Sequence, residues 1–245
     1  MTPYAPESVL ARITTHWSQI QNPVQFVARY APAIQKYFRA LIRQSEDAED
    51  AAQDFLARIS GRGFGNLSLD RARFRDYLTV AVKNSALNHL KRLRRNRTVQ
   101  ADAVEVEADS DVLRQADSEW LANWQRCVLD QAWRGLFHYQ RRHNGNLFHT
   151  VLKKRSDNAE LTDAAVAELV AAETGQPLSP EAFRKQLSRA RRMFAELIVE
   201  EIARTLESPT PERVEDELIA TGLMTYVKPF LHEDWRQRGI LGEAH

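Results

Sequence analysis

The sequence predicts an all-α protein with two helical domains joined by an acidic linker. Apolar residues recur every three or four positions along most of the 245 residues, which is the spacing of a buried helix face. Nine glycines and nine prolines are few for a turn-rich β-protein. The charged residues of 98–118 are six acids and one arginine, and this stretch shows no sustained helical period, so it separates a domain at 14–97 from another at 119–223. No function is assigned to the tail at 224–245.

The first domain is predicted to contain three helices. The first covers residues 24–43, where apolar side chains form one stripe. Ser45 is a suitable N-cap for the second, and the acids that follow it suit the positive end of the helix dipole. Gly61 and Gly63 end this helix. A long third helix runs from about residue 71 to 95, with an aromatic N-terminal half and a basic C-terminal half.

The second domain begins with an aromatic helix at about 118–142. Thr162 is the predicted N-cap of a later helix, and residues 174–178 form a turn. Ser179 followed by proline and glutamate starts the next helix, and Thr210 starts the last one in the same way. The domain therefore contains two successive helices joined by a turn at about 162–202.

This pair of helices has the design of a DNA-reading helix-turn-helix. One face of the second helix is apolar, and the other carries side chains suited to phosphates and base edges in the major groove. These side chains belong to Arg184, Lys185, Ser188, Arg189 and Arg192. A plain helical hairpin with a solvated basic face has the same spacing, so both interpretations stay open at this point.

The long helix of the first domain has features that suit unpaired bases. Asn84 and Asn88 could hydrogen-bond base edges, and the arginines that follow could hold the backbone. Phe74 and Tyr77 could stack on bases, although their spacing continues the buried stripe and favours a place in the core.

The composition excludes several classes of function. A single cysteine, Cys127, rules out an internal disulfide and a cysteine-based zinc site. No apolar run approaches the roughly 18 residues of a membrane span, and the first residues lack a secretion-signal pattern. We therefore expect a soluble, cytoplasmic protein with no membrane partner.

Two motifs in this order resemble the extracytoplasmic-function (ECF) family of sigma factors, within the sigma-70 superfamily. Ser45–Leu56, Phe74–Leu78 and the residues from Asn84 to the basic run are similar to domain 2 of that family. Ser179–Arg192 is similar to the recognition helix of its domain 4. Segments 15–20 and 200–203 are similar to a long-chain, planctomycete-like subgroup. The resemblance covers roughly residues 14–223, although the family usually has tryptophan at the position of Tyr77 and a turn two residues shorter before Ser179.

The resemblance implies a sigma factor that binds core RNA polymerase and directs promoter recognition and transcription initiation. The acidic helix would contact the β′ clamp helices, and the β flap would be a second contact on the polymerase. The implied clamp contacts are Asp47, Asp50, Gln53 and Asp54. An anti-sigma factor is a further candidate partner. Such a protein needs no catalytic residue and no cofactor, because the polymerase carries out RNA synthesis.

The same resemblance implies two contacts with promoter DNA. Domain 2 would open and read the −10 element, with Asn84 and the loop at 62–70 enclosing a flipped base and Asn88 on the same helix. Lys83, Lys91 and Arg92 would hold phosphates. Domain 4 would read the −35 element through Arg184, Lys185, Ser188 and Arg189, with Arg192 further along the helix.

Two other functions stay open from the residues alone. A helix-turn-helix regulator that never binds polymerase would not need the acidic helix or the acidic linker. An all-α, metal-dependent nucleotide pyrophosphatase could use the carboxylates at 46–54 for magnesium. The early helices, however, supply arginine, lysine and tyrosine where a second pair of carboxylates would be required.

Overall fold

The computed structural model describes residues 23–62, 74–98, 110–143, 145–206, 209–232 and 235, and all regular elements within them are helices. The predicted all-α class is confirmed for these residues. The helices are α1 (Pro23–Leu41), α2 (Ser45–Arg62), α3 (Phe74–Thr98), α4 (Ser110–Arg142), α5 (Phe148–Asp157), α6 (Asp163–Thr174), α7 (Pro180–Ala203), α8 (Pro211–Ala220) and α9 (Met224–Val227).

The chain divides into two units, and each has its own core. Within the described residues, the first unit contains the chain up to Cys127 together with 203–206 and 209–213. The second unit contains 128–202 and the described residues from Val214 onward. The sequence predicted a second domain starting at 119, whereas the division falls inside α4 after Cys127.

The core of the first unit forms where α1 packs against α2 and α3. The apolar stripe of α1 is buried, and the rings of Phe38 and Phe55 lie 5.9 Å apart between α1 and α2. Leu78, Val82 and Ala86 of α3 are fully buried, at the four-residue spacing of one helix face. This packing fixes which sides of α2 and α3 remain accessible.

The N-terminal half of α4 completes this core with two tryptophans. Trp124 is fully buried and stacks on Tyr30, with ring centroids 4.4 Å apart and planes 3° from parallel. Trp120 meets Tyr37 edge-on at 5.6 Å. Stacked and edge-on aromatic pairs each stabilise a core by about 0.5–1.5 kcal/mol beyond their buried area. The predicted aromatic helix therefore contributes to the core of the first unit.

The linker predicted at 98–118 is wrong over its last nine positions, because α4 begins at Ser110. Val112 and Ala116 continue the spacing that leads to Trp120, and Ala116 is buried. The acids between them lie outside this stripe, so their number concealed the helical period. Residues 99–109 lie outside the described part of the chain.

The second unit has its core between α4, α5, α6 and α7. Ten buried side chains form one cluster there. They are Leu136, Phe148, Val151, Leu152, Val166, Ala167, Val170, Phe183, Leu187 and Ala190. Near the C-terminal end of the described chain, Leu223 and Val227 are also fully buried.

Three predicted helix starts are confirmed by their capping hydrogen bonds. The hydroxyl of Thr162 accepts from the backbone N–H of Ala165 at 3.3 Å. Ser179 and Thr210 cap α7 and α8 in the same way, at 3.2 Å and 3.3 Å. Such a cap typically stabilises a helix by about 1 kcal/mol. Gly175 ends α6 with φ of +69°, a backbone conformation that favours glycine.

Candidate nucleic-acid interface

The side chains of α7 divide between a buried face and a basic face. Phe183, Leu187 and Ala190 pack into the core of the second unit. All five residues predicted to contact DNA on this helix are exposed. They are Arg184, Lys185, Ser188, Arg189 and Arg192. One side of α7 therefore presents four positive charges and one hydroxyl to solvent.

The polar groups at the start of α7 favour a negative charge there. The carboxylate of Glu181 accepts hydrogen bonds from its own backbone N–H and from the Ser179 hydroxyl. These bonds, together with the positive charge of Arg184, keep the pKa of Glu181 below its usual range. Its carboxylate lies 3.5 Å from the Arg184 guanidinium, and both side chains are more than half exposed. Such a pair is weak in water, so Arg184 can exchange this partner for another anion.

Arg155 fixes the connection between α5 and α6. Arg155 donates hydrogen bonds to the carbonyl oxygens of Leu161 and Ala159 at 2.6 Å and 2.8 Å. Its guanidinium also lies 3.9 Å from the carboxylate of Asp163 in the first turn of α6. These contacts position α6, against which the buried face of α7 packs.

One face of α3 remains accessible beside the buried stripe. The predicted residues Asn84, Asn88 and Lys91 are exposed and lie three or four positions apart, so they share this face, and Arg92 adjoins it. Val80 precedes them at the same spacing and is 56 % exposed, which is high for an apolar side chain. The sequence interpretation missed Val80, although its position between the buried Leu78 and Val82 indicates that it points away from the core.

Lys83, which is predicted as a phosphate contact, lies outside this face and pairs with an acid. Its ammonium group donates to one carboxylate oxygen of Asp117 at 2.8 Å, and the hydroxyl of Tyr37 donates to the other at 2.7 Å. Burial, reinforced by the Asp117 carboxylate, raises the pKa of Tyr37 far above its usual range. Lys83 is therefore already neutralised by an acid that the sequence interpretation had placed in the linker.

The acidic face of α2 is exposed at the predicted polymerase contacts. Asp50, Gln53 and Asp54 are exposed and Asp47 is half-buried, while Ala51, Ala52 and Phe55 lie in the core. Glu49 pairs with Arg39 at 2.9 Å, whereas Asp50 and Asp54 make no ion pair with other described residues. Acids this far from the helix N-terminus gain little from the helix dipole, so their placement favours contact with a basic partner.

Several predicted features cannot be located. The loop predicted at 62–70 to enclose a flipped base lies outside the described residues from position 63 onward, as does segment 15–20. The described part of the chain contains no group of three potential metal ligands among its His, Cys, Asp and Glu residues. No helix in the same residues is long and apolar enough to cross a membrane.

The arrangement defines a helical protein with one acidic helix face and two faces suited to nucleic acid. Residues 26–96 match the family model for Sigma-70 region 2, a stretch that runs from α1 into the last turn of α3. No curated protein and no solved structure matches the chain. This match covers less than a third of the 245 residues and shows that the chain contains a segment similar to Sigma-70 region 2.

Proposed function

We propose that this protein is an ECF-type sigma factor, which binds core RNA polymerase and directs it to a set of promoters. The observation that carries the proposal is the coincidence of the Sigma-70 region 2 match with α1 to α3. These helices hold the acidic face of α2 and the polar face of α3. No enzymatic step and no cofactor are assigned to the chain, and its place of action is the cytoplasm, where polymerase works.

Binding to polymerase is assigned to α2. Asp50, Gln53 and Asp54 project from a helix whose opposite side is fixed in the core, so the acids are presented on a rigid support. A partner of complementary charge, such as the β′ clamp helices, would approach this face quickly and be held by charge-assisted hydrogen bonds. The β flap is assigned as a contact of the second unit, and an anti-sigma factor would act by covering one of these faces.

Promoter reading is assigned to α3 and α7. The amides of Asn84 and Asn88 can hydrogen-bond the edges of bases exposed in the opened −10 element, with Lys91 and Arg92 on phosphates. Arg184, Lys185, Ser188 and Arg189 occupy the first turns of α7, the part that a helix-turn-helix inserts into the major groove, here at the −35 element.

The competing candidate is a DNA-binding regulator that never meets polymerase. Size-exclusion chromatography of the full chain mixed with core polymerase separates the two functions. We expect one co-eluting complex at moderate salt. Separate elution, together with retained binding to duplex DNA, would favour the regulator.

A further inference from the structure

A cleft of about 340 Å³ lies beside α7 in the second unit. Its volume is at the lower end of the range typical of small-ligand sites. The polar and aromatic side chains that line it come from α5, α6, α7 and the C-terminal segment. They are Arg155, Asp163, Arg184, Ser188, Arg191 and Phe230.

The charges around this cleft leave it positive. Asp163 lies 3.9 Å from Arg155, which also binds two backbone carbonyls, so the charge of Arg155 is largely compensated. Arg184 has only the exposed Glu181 at 3.5 Å, and Arg191 makes no ion pair with the other described residues. Two guanidinium groups are thus available to an anion.

The ring of Phe230 positions the guanidinium of Arg191. The guanidinium of Arg191 lies over its ring, 5.6 Å from the centroid, and Arg191 is half-buried. The backbone of Phe230 is anchored because Val227 is fully buried and its carbonyl accepts the Phe230 N–H at 2.9 Å. Stacking on a ring engages the face of a guanidinium and leaves the N–H donors at its edge free.

We propose that this cleft binds a phosphoryl group, with Arg184, Ser188 and Arg191 as donors and Phe230 as a positioning residue. A phosphoryl group presents several oxygens in different directions, so two planar arginine forks and a hydroxyl can share it. The C-terminal segment thereby acquires a function as one wall of the site.

Two kinds of ligand contain such a phosphoryl group. The first source is a phosphate of the DNA backbone, and the second is a free phosphate or phosphate ester. The first source rests on the proposed function, because it requires α7 to bind DNA. The second does not. Since Arg184 and Ser188 line the cleft and also belong to the basic face of α7, a free anion bound there would compete with DNA.

The first arm of the test uses inorganic phosphate and pyrophosphate, titrated into the full chain by calorimetry at constant ionic strength. If the site takes a free anion, Arg191→Ala weakens binding at least tenfold and Arg191→Lys less so. Phe230→Ala, which keeps the charge, weakens binding severalfold. Arg134→Ala is the control, because Arg134 is an exposed arginine of the same unit that does not line the cleft.

The second arm measures binding to a duplex of random sequence at several salt concentrations. If the site takes a backbone phosphate, Arg191→Ala lowers the salt slope by about one, whereas Arg134→Ala leaves it unchanged. An effect of Arg191→Ala in either arm supports the site and identifies whether its ligand is a free anion or a phosphate of the DNA backbone. Wild-type behaviour of Arg191→Ala in both arms would overturn it. If the chain binds phosphate but does not bind core polymerase, the proposed site is supported and the proposed function is rejected.

Discussion

Lys83 on α3 donates to the carboxylate of Asp117 on α4 across 2.8 Å, although 34 positions separate them in the sequence. Tyr37, which is nearly fully buried, donates its hydroxyl to the same carboxylate. One acid therefore joins three helices of the first unit. Lys83 thus has an acidic partner within the protein, and its contact with a DNA phosphate stays a prediction.

We expect Asp117→Ala to lower the free energy of unfolding by about 1–2 kcal/mol, because it leaves a buried hydroxyl without its acceptor. Glu119→Ala is the control, since Glu119 is an exposed acid of the same helix whose carboxylate accepts a hydrogen bond from Gln115 on the helix surface. That change should cost well under about 1 kcal/mol. Urea denaturation followed by tryptophan fluorescence measures both variants, and equal losses would contradict a structural role for Asp117.

Reversing the charge of Asp50 and Asp54 tests the acidic face of α2. We expect Asp50→Lys with Asp54→Lys to weaken binding to core polymerase by about tenfold or more, since each new charge would meet a basic partner. Helix content should not change, because both side chains are exposed. Asp130→Lys with Glu168→Lys reverses two exposed acids of the second unit as a control. Undiminished capture of core polymerase by the α2 variant in a moderate-salt pull-down would reject the assignment.

The basic face of α7 should separate into residues that read bases and residues that hold phosphates. Arg189→Ala should cost about 1–3 kcal/mol on the cognate −35 duplex and relax base preference at one position. Arg192→Ala should weaken cognate and scrambled duplexes alike and lower the salt slope by about one. Fluorescence titrations at several salt concentrations measure these effects. Identical losses on both duplexes for both variants would mean that α7 does not read sequence.

Glu196 should make the stability of the second unit depend on pH. Burial raises the pKa of Glu196 to about 7, although the nearby Arg192 opposes this shift. The folded state therefore holds this proton more tightly than the unfolded state, so the contribution of Glu196 to stability is fully present below about pH 4.5 and is lost as the pH rises through 7.

Thermal melting of wild type and Glu196→Gln at pH 5 and pH 8 measures this effect. We expect the glutamine variant to gain stability over wild type at pH 8, because its side chain is never ionised. In an Arg192→Ala background, the stability that Glu196→Gln adds at pH 8 should be larger, because the charge that favours the ionised carboxylate is gone. The same stability difference between wild type and Glu196→Gln at both pH values would contradict the raised pKa of Glu196.

The features predicted well from sequence are those determined within one or two helical turns. Thr162, Ser179 and Thr210 cap their helices as expected, because a cap depends on residues two or three positions away. The exposed face of α7 follows equally from the spacing of Phe183 and Leu187, which occupy the core.

The features that sequence could not predict depend on distant pairs or on competing signals. The start of α4 was missed because a run of acids obscured the spacing of Val112, Ala116 and Trp120. The contacts of Lys83 with Asp117 and of Arg191 with Phe230 join separate helices or segments, and no local spacing indicates them.

Run-off transcription with purified core polymerase on a pool of host promoters tests the central claim most directly. The account predicts discrete transcripts that appear only when the full chain is added, and that weaken for Asn84→Ala together with reduced permanganate reactivity at the −10 element. Asn84 is exposed on α3, so its loss should impair promoter opening rather than folding. No transcript above the core-only background on any template would contradict the assignment as a sigma factor.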